Sequence, residues 1–388
     1  MKKRFSILMS VIMVSASLTA CLGSAPKPAE TTAATAAAPD TTAAAAETKA
    51  EEKKAEETVA EEKKEDAAYT VNEAAAKDPA VTLRMADVNP LEDTICGAVD
   101  LKFKEAVEAM SGGTVTIDLQ GNGVLGVEAD ILDGMIGGTG VVDLIRIGAN
   151  SLNNYGCTKC ILTSLPYTFE SREHFYNFVN SEIGQQLLDE PSEIGIGLKG
   201  LFFGEEGTRN FFTVEKKPVK TPDDMKGLKI RSSADPVMSG MIANLGATPS
   251  PVSFSEIYPS MQNGTIDGAE QPVANYRSNS FTEVGPNLTL DAHTLGVIEI
   301  LITDAAFNDK LTENQRQVIL DVSKISADYC KEISGEKEAS VIETLKAEGI
   351  NVIEIEDKAA WRDACKPIVS EYIQGELGDL YQGILEMK

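Results

Sequence analysis

Apolar positions fall in short runs whose period switches between two and about 3.6, the mark of strands alternating with helices. The clearest stretch is 227–269, GLKIRSSADPVMSGMIANLGATPSPVSFSEIYPSMQNGTIDGA. It predicts a strand over 228–231, a helix over 237–245 and a strand over 248–252. A helix over 254–262 follows, with Ser253 and Glu256 in capping-box spacing and Asn263-Gly264 as the stop, and then a strand over 265–269. Earlier runs give a strand at 81–86, a helix at 94–110 with Val99, Phe103 and Val107 on one face, and strands at 114–119 and 141–147. A helix at 171–179 and a strand at 198–203 come next, with His174 expected on the exposed face of that helix. The end of the chain predicts a strand at 297–303, a long helix at 312–346, a strand at 351–355 and helices at 358–371 and 375–387. Alternation at this spacing describes an open α/β sheet, in which ligands bind beyond the carboxyl ends of the strands. Arg231, Phe254 and Gln271 stand at or just past such ends.

The amino-terminal pattern is different. Lys2, Lys3 and Arg4 precede an apolar run over 5–14, and small residues lead to Leu18-Thr19-Ala20-Cys21. This reads as a secretory signal over 1–20 closing on a lipobox, with Cys21 acylated after cleavage; the run is too short for a stop-transfer helix. Residues 22–79 are Ala, Thr, Glu, Lys and Pro with few large apolar side chains, which cannot offset the entropy of ordering. The expected organisation is a signal at 1–20, a lipidated Cys and tether at 21–80, and a folded domain at 81–388. That domain is long enough for two lobes.

The formal net charge is −25, of which the tether contributes −6, so the folded part is itself acidic. This argues against nucleic acid and anionic lipid as partners but not against a small anion, because a few buried arginines can select one. Setting Cys21 aside leaves Cys96, Cys157, Cys160, Cys330 and Cys365. The CxxC at 157–160 admits a local disulfide outside the cytoplasm, while a zinc site would need a second ligand pair and no second CxxC exists. The run 121–126, GNGVLG, fits GxGxxG with Asp143 some twenty residues on. It follows the second predicted strand rather than the first, and the next apolar run continues past Asp143, so a dinucleotide site is disfavoured. No GxSxG, HExxH, P-loop or zinc spacing points to an enzyme, and the pattern calls for no cofactor and no metal.

Six words in order resemble the extracytoplasmic solute-binding subunits of TRAP (tripartite ATP-independent periplasmic) transporters. They are LKFKEAVEAMSGGTVTIDL at 101–119, VLGVEADILDGMIGGTGVVDL at 124–144, LPYTFESREHFYNFVNSEIGQQLL at 165–188, GLKIR at 227–231, LGATPSPVSFSEIYPSMQNGTIDGAEQP at 245–272 and FTEVGPNLTLDAH at 281–293. The resemblance runs from about 81 to the end. It implies a two-lobed fold with a central cleft and a long bracing helix at 312–346. Lobe 1 is expected at about 81–206 and 297–336, and lobe 2 at about 207–296 and 337–388. It implies capture of a small organic carboxylate by hinge closure, on the outer face of the membrane, for delivery to integral-membrane TRAP subunits. A binding protein of an ABC importer or a sensor is the alternative, and a lipid-tethered enzyme is a more distant one.

The resemblance also implies site residues. Arg231 matches the family arginine that pairs with the substrate carboxylate, which suits a planar fork that never deprotonates. Arg209 matches a second arginine near the lobe crossing. The competing reading of either is a pair with an acid such as Asp235 or Glu270. Phe254 matches an aromatic that packs on the ligand. Gln271 stands where many members carry Asn, a departure that moves the amide by one methylene. Asn89, Arg146 with Asn150, Tyr276 and His293 are further candidates on segments near the cleft, with a turn residue and a surface charge as the plain readings of Asn89 and Arg146.

Overall fold

In a computed structural model, residues 69–388 are described. The expected signal, Cys21 and most of the expected tether lie outside the described residues. Ordered packing starts earlier than residue 81. Asn72 donates its backbone N–H to Met110 O at 2.8 Å, Ala75 is fully buried, and Thr114 Oγ1 donates to Ala75 O at 2.9 Å. The sequence hid this because the segment has the tether's composition and gains order by docking on the first helix and on the start of the long one, where Gln315 Nε2 donates to Pro79 O at 2.9 Å.

Nine strands form one continuous sheet among the described residues: β1 Val81–Ala86, β2 Val115–Gln120, β3 Leu144–Gly148, β4 Leu198–Thr213, β5 Lys229–Ser232, β6 Thr248–Pro251, β7 Gly268–Pro272, β8 Asn287–Thr303 and β9 Asn351–Glu354. The helices are α1 Ile95–Met110, α2 Glu128–Ile136, α3 Arg172–Val179, α4 Glu182–Glu193, α5 Pro236–Asn244, α6 Ile257–Gln262, α7 Val273–Ser278, α8 Phe281–Val284, α9 Glu313–Ala347, α10 Ala359–Tyr372 and α11 Glu376–Leu385. The strand order is β2-β1-β3-β8-β4-β7-β5-β6, with β9 on the other end of β8.

Each half starts from ordinary βαβ logic. β1 pairs in parallel with β2 and β3, and α1 buries Val99, Phe103 and Val107 against them. Thr94 caps α1 by accepting from Gly97 N at 2.9 Å, a contact worth about 1 kcal/mol. In the other half β5 pairs in parallel with β6 and β7. The 254–262 helix is divided: Phe254–Glu256 is a 3-10 turn and α6 begins at Ile257. Ser253 does not cap it, since its hydroxyl meets Ser255 Oγ instead.

The two halves are joined by β4 and β8, both much longer than the sequence pattern shows. β3 pairs with β8 at 298–302 and β9 with β8 at 287–290, while β7 pairs with β4 at 209–213. One antiparallel pair therefore serves both lobes. The expected ends at 203 and 297 fall where the chain turns polar, and the polar residues continue the strands because partners satisfy them. Gly207 donates to Glu205 Oε2 at 2.6 Å, and Arg172 Nε donates to Glu205 Oε1 at 2.7 Å. Glu338 accepts from Thr208 N at 2.8 Å and pairs with Arg172, so α9 braces the crossing as the family resemblance implied. Left-handed residues interrupt both strands there, Gly207 at φ +92° and Ala292 at φ +49°, with register shifts beside them in β4. These are the bends that re-aim one half of the sheet against the other.

The carboxyl-terminal helices divide between the halves. α10 packs on α5, whereas α11 returns to α4 in the first half. That return buries His174, expected on an exposed face: it is 1 % exposed, and its Nε2 lies 2.7 Å from Ile384 O.

Candidate ligand-binding site

The loops leaving the carboxyl ends of the parallel strands in both halves converge with the crossing on a cavity of about 750 Å³. This is the position that open α/β sheets reserve for ligands. Three arginines reach it, Arg146 on β3, Arg209 on β4 and Arg231 on β5, all nearly or largely buried. They differ in what balances their charge.

Arg146 is held by Asp87, just after β1. Nε donates to Asp87 Oδ2 at 2.9 Å and the guanidinium is bidentate on the same carboxylate. It is neither a surface charge nor a free cation. Arg209 is bidentate on Glu270 of β7, through Nε to Oε2 at 2.5 Å and Nη2 to Oε1 at 2.8 Å. Burial opposes ionisation of Glu270, but Arg209 and then His293 hold its pKa down at about 2.

Arg231 has no carboxylate within ion-pair distance among the described residues. Its Nε donates to Val252 O at 3.0 Å, and the residue is 5 % exposed. Burial pulls its pKa down to about 10, Glu270 opposes that pull and Arg209 adds to it. A guanidinium is still charged at neutral pH, so this buried cation is only partly balanced by its neighbours. Of the two pairings open at the sequence level, Arg209 takes Glu270 and Arg231 takes neither acid. Asp235 instead caps α5 at Val237 N, 3.0 Å, and accepts from Asn150 Nδ2 at 3.1 Å and Asn153 Nδ2 at 3.2 Å. These two asparagines follow β3, so the contact ties the rims of the two halves together.

The remaining wall is polar on one side and aromatic on the other. Asn89 lines the cavity with its Oδ1 buried and without a partner. Gln271 lines it at 3 % exposure and makes no side-chain hydrogen bond to any described residue. Both amides are therefore available to a bound molecule. Phe254 and Phe281 meet edge to face with centroids 5.8 Å apart and supply an apolar surface. The 121–126 turn forms part of the rim through Asn122, Gly123 and Gly126.

Tyr276 is not part of this wall. It is fully buried against Phe212 and donates its hydroxyl to Gly285 O at 2.8 Å. α7 turns Asn275 and Asn279 toward the cavity and its next position into the core. Asn275 Nδ2 donates to Glu206 Oε2 at 3.0 Å, and Glu206 also lines the cavity. Sequence reasoning missed Glu206, Asp235, Asn153 and Asn275. An Asp one residue before a proline-led helix is a capping signal that marks Asp235, but nothing local marks the other three.

His293 lies behind Glu270 rather than in the cavity. Its Nδ1 lies 2.7 Å from Asp291 Oδ2, and its Nε2 stands 3.5 Å from Glu270 Oε2, too long for a good hydrogen bond but close enough to act by charge. Burial disfavours the cation, yet Asp291 and Glu270 outweigh it and raise the pKa to about 9. A raised histidine pKa contributes stability that is complete below the unfolded value of about 6.5 and is lost as pH rises through about 9. The full effect is on the order of 3 kcal/mol. The melting temperature of the protein is expected to fall between pH 7 and 9.5, and His293→Gln to flatten that slope. An equal slope in the variant would remove His293 as the source.

Comparison with known proteins adds a family. The model of the bacterial extracellular solute-binding protein family 7 matches residues 85–375. A solved TRAP periplasmic solute-binding protein from Bradyrhizobium sp. BTAi1, in complex with α/β-D-galacturonate, superposes with a TM-score of 0.73 at 28 % identity, covering 79 % of this chain and all of that one. The 2,3-diketo-L-gulonate-binding periplasmic protein of Escherichia coli K12 is 30 % identical over 263 residues, 68 % of this chain and 78 % of its own. The C4-dicarboxylate-binding periplasmic protein of Rhodobacter capsulatus is 28 % identical over 283 residues, 72 % of this chain and 83 % of its own. The chain belongs to the bacterial extracellular solute-binding protein family 7.

Proposed function

We propose that this family member captures a small organic carboxylate outside the cytoplasm and hands it to the integral-membrane subunits of a TRAP transporter. The observation that carries the reading is Arg231, a buried guanidinium on the cavity wall with no carboxylate of the described residues within ion-pair distance. Bringing such a charge out of water costs several kcal/mol, and a ligand carboxylate in bidentate geometry recovers it. Arg209, already neutralised by Glu270, donates at the edge of the same anion. Asn89 and Gln271 read the hydroxyl or carbonyl groups of the ligand, and Phe254 packs on its carbon face. Arg146 is a scaffold, locked by Asp87. The named relatives bind uronate, diketogulonate and C4-dicarboxylate, all carboxylates. The relatives are binding proteins, and we read this chain as a binder rather than an enzyme.

Ligand contacts to both lobes favour the closed form, which the membrane subunits recognise. The lobes are about 81–206 with 297–336 and about 207–296 with 337–375, α11 rejoining the first, and they move about the bends at Gly207 and Ala292. The contact of Asn150 and Asn153 with Asp235 is made as the rims meet. Acylation of Cys21 anchors the protein to the membrane, and the segment to about residue 68 spaces it from the surface.

A thermal-shift and calorimetric panel on the full chain tests this, using hexuronates, aldonates, keto acids, C4-dicarboxylates, neutral hexoses and NADH. A ligand of the folded state at a hundred times its Kd stabilises by about 2.7 kcal/mol. One acid class is expected to raise the melting temperature while the matching neutral sugars do not. Binding of neutral sugars or NADH alone overturns the reading.

A further inference from the structure

We propose that Cys157, Cys160 and Glu190, completed by Glu299, form a buried site for one divalent metal ion of the zinc type. It lies within the first half of the molecule and is separate from the ligand cavity. Cys157 sits in the turn between the 3-10 segments Ala149–Tyr155 and Lys159–Thr163, Cys160 in the second of these, Glu190 in α4 and Glu299 in β8. One ligand atom from each of Cys157, Cys160 and Glu190 falls within 4.8 Å of the others. In a tetrahedral zinc site the ligand atoms stand about 3.7 Å apart, so a small contraction closes the set. Two residues between the cysteines is the spacing that lets both sulfurs face one ion.

The second observation is independent of the cysteines. Glu299 is fully buried, and neither of its carboxylate oxygens has a hydrogen-bond partner among the described residues. Cys157 and Glu190 are its interacting ionisable neighbours. All four candidate ligands are buried, and both cysteines are free thiols. A disulfide would occupy the sulfurs and leave Glu299 orphaned. A dication gives both sulfurs and Glu299 a partner. Glu190 is already oriented for this, because both its oxygens accept from Lys159 N at 3.0 Å while lone pairs remain for a metal. That hydrogen bond fixes a ligating carboxylate as outer-shell contacts do in metal sites. Binding releases the two thiol protons and the proton of the buried Glu299 carboxyl to solvent and forms two metal–sulfur bonds and one metal–oxygen bond to each of Glu190 and Glu299, so no oxidant or reductant is involved. The sequence offered only half of a zinc site; the tertiary structure supplies the second pair as carboxylates from two distant elements. The closed site would pin α4 and the CxxC turn to the first-half end of the crossing strand β8.

The test is metal content, read without reference to carboxylate binding. Full-length protein made in zinc-supplemented medium and washed on a size-exclusion column is expected to retain one zinc per chain. Replacement with Co²⁺ is expected to give a thiolate-to-cobalt charge-transfer band and the strong visible bands of tetrahedral cobalt. Cys157→Ser should abolish the charge-transfer band. Should that variant fail to fold, Glu299→Gln, which preserves shape and fills the same space, should keep the fold and lose metal affinity by about tenfold or more in competition with a chelator. Retention of no zinc, or an intact mass two hydrogens short with no bound metal, overturns the proposal. Undiminished affinity in Glu299→Gln overturns the role of Glu299.

Discussion

Arg231→Ala is expected to weaken binding of the carboxylate identified in the panel by about 3 kcal/mol, roughly a hundredfold, because the ligand charge would then be buried without a partner. The melting temperature of the free protein is expected to stay level or rise. The side chain makes a single hydrogen bond, Nε to Val252 O, and its charge is poorly compensated in the absence of ligand. Removing it therefore takes away a cost rather than a support. Arg231→Lys should recover part of the affinity, since it restores the charge but not the two parallel hydrogen bonds. Isothermal titration calorimetry on the three proteins, with melting curves of each ligand-free form, checks both halves. Unchanged affinity in the alanine variant would remove Arg231 as the anchor, and a collapse of the free protein would mean that its role is structural.

Glu270→Ala should show the opposite profile. Glu270 is fully buried, bidentate to Arg209 and 3.5 Å from His293 Nε2. Its loss leaves Arg209 and Arg231 on the wall and His293 behind it with one fewer counter-charge. Breaking a buried pair from one side costs about 3–5 kcal/mol, on the order of 10 °C in melting temperature for a domain of this size. Glu270→Gln retains hydrogen-bond acceptance and should lose less. The double variant Glu270→Ala with Arg209→Ala should be less damaged than the sum of the two, and the difference measures the coupling. The contribution of Glu270 is present above about pH 4.5, the unfolded value, and is lost as pH falls through about 2. A loss within a few tenths of a kcal/mol in Glu270→Ala would mean that the arginines are balanced by something other than this carboxylate.

The contrast between these two residues was half visible in the sequence. Arg231 was identifiable because it ends a short strand in a βαβ pattern, and strand ends in such sheets face ligands. Glu270, one position before Gln271, stood only as one of two acids that could pair with either arginine. Which arginine Glu270 would hold was not decidable, because the partners come from β4, β5 and β7, which meet only in the folded sheet.

Short-range patterns were read well for the same reason that they exist. The period of α1, its stop at Ser111 and the long helix from Thr312 rest on contacts within a few residues, and those are written locally. The capping box at Ser253 had the right letters but not the geometry, because β6 delivers the chain into a 3-10 turn.

What the sequence by itself determined was the alternating α/β character, the family and the position of Arg231. Only tertiary structure decided the rest. It extended β4 and β8 through a polar stretch, since buried glutamates there find Arg172 and backbone amides to pair with. It removed Tyr276 from the cavity by the rotation of α7, and buried His174 under α11. It brought Glu190 to the CxxC turn from 30 positions beyond Cys160. In each case the deciding term is the pairing of a buried polar group, and that pairing is set by strands and helices far apart in the chain.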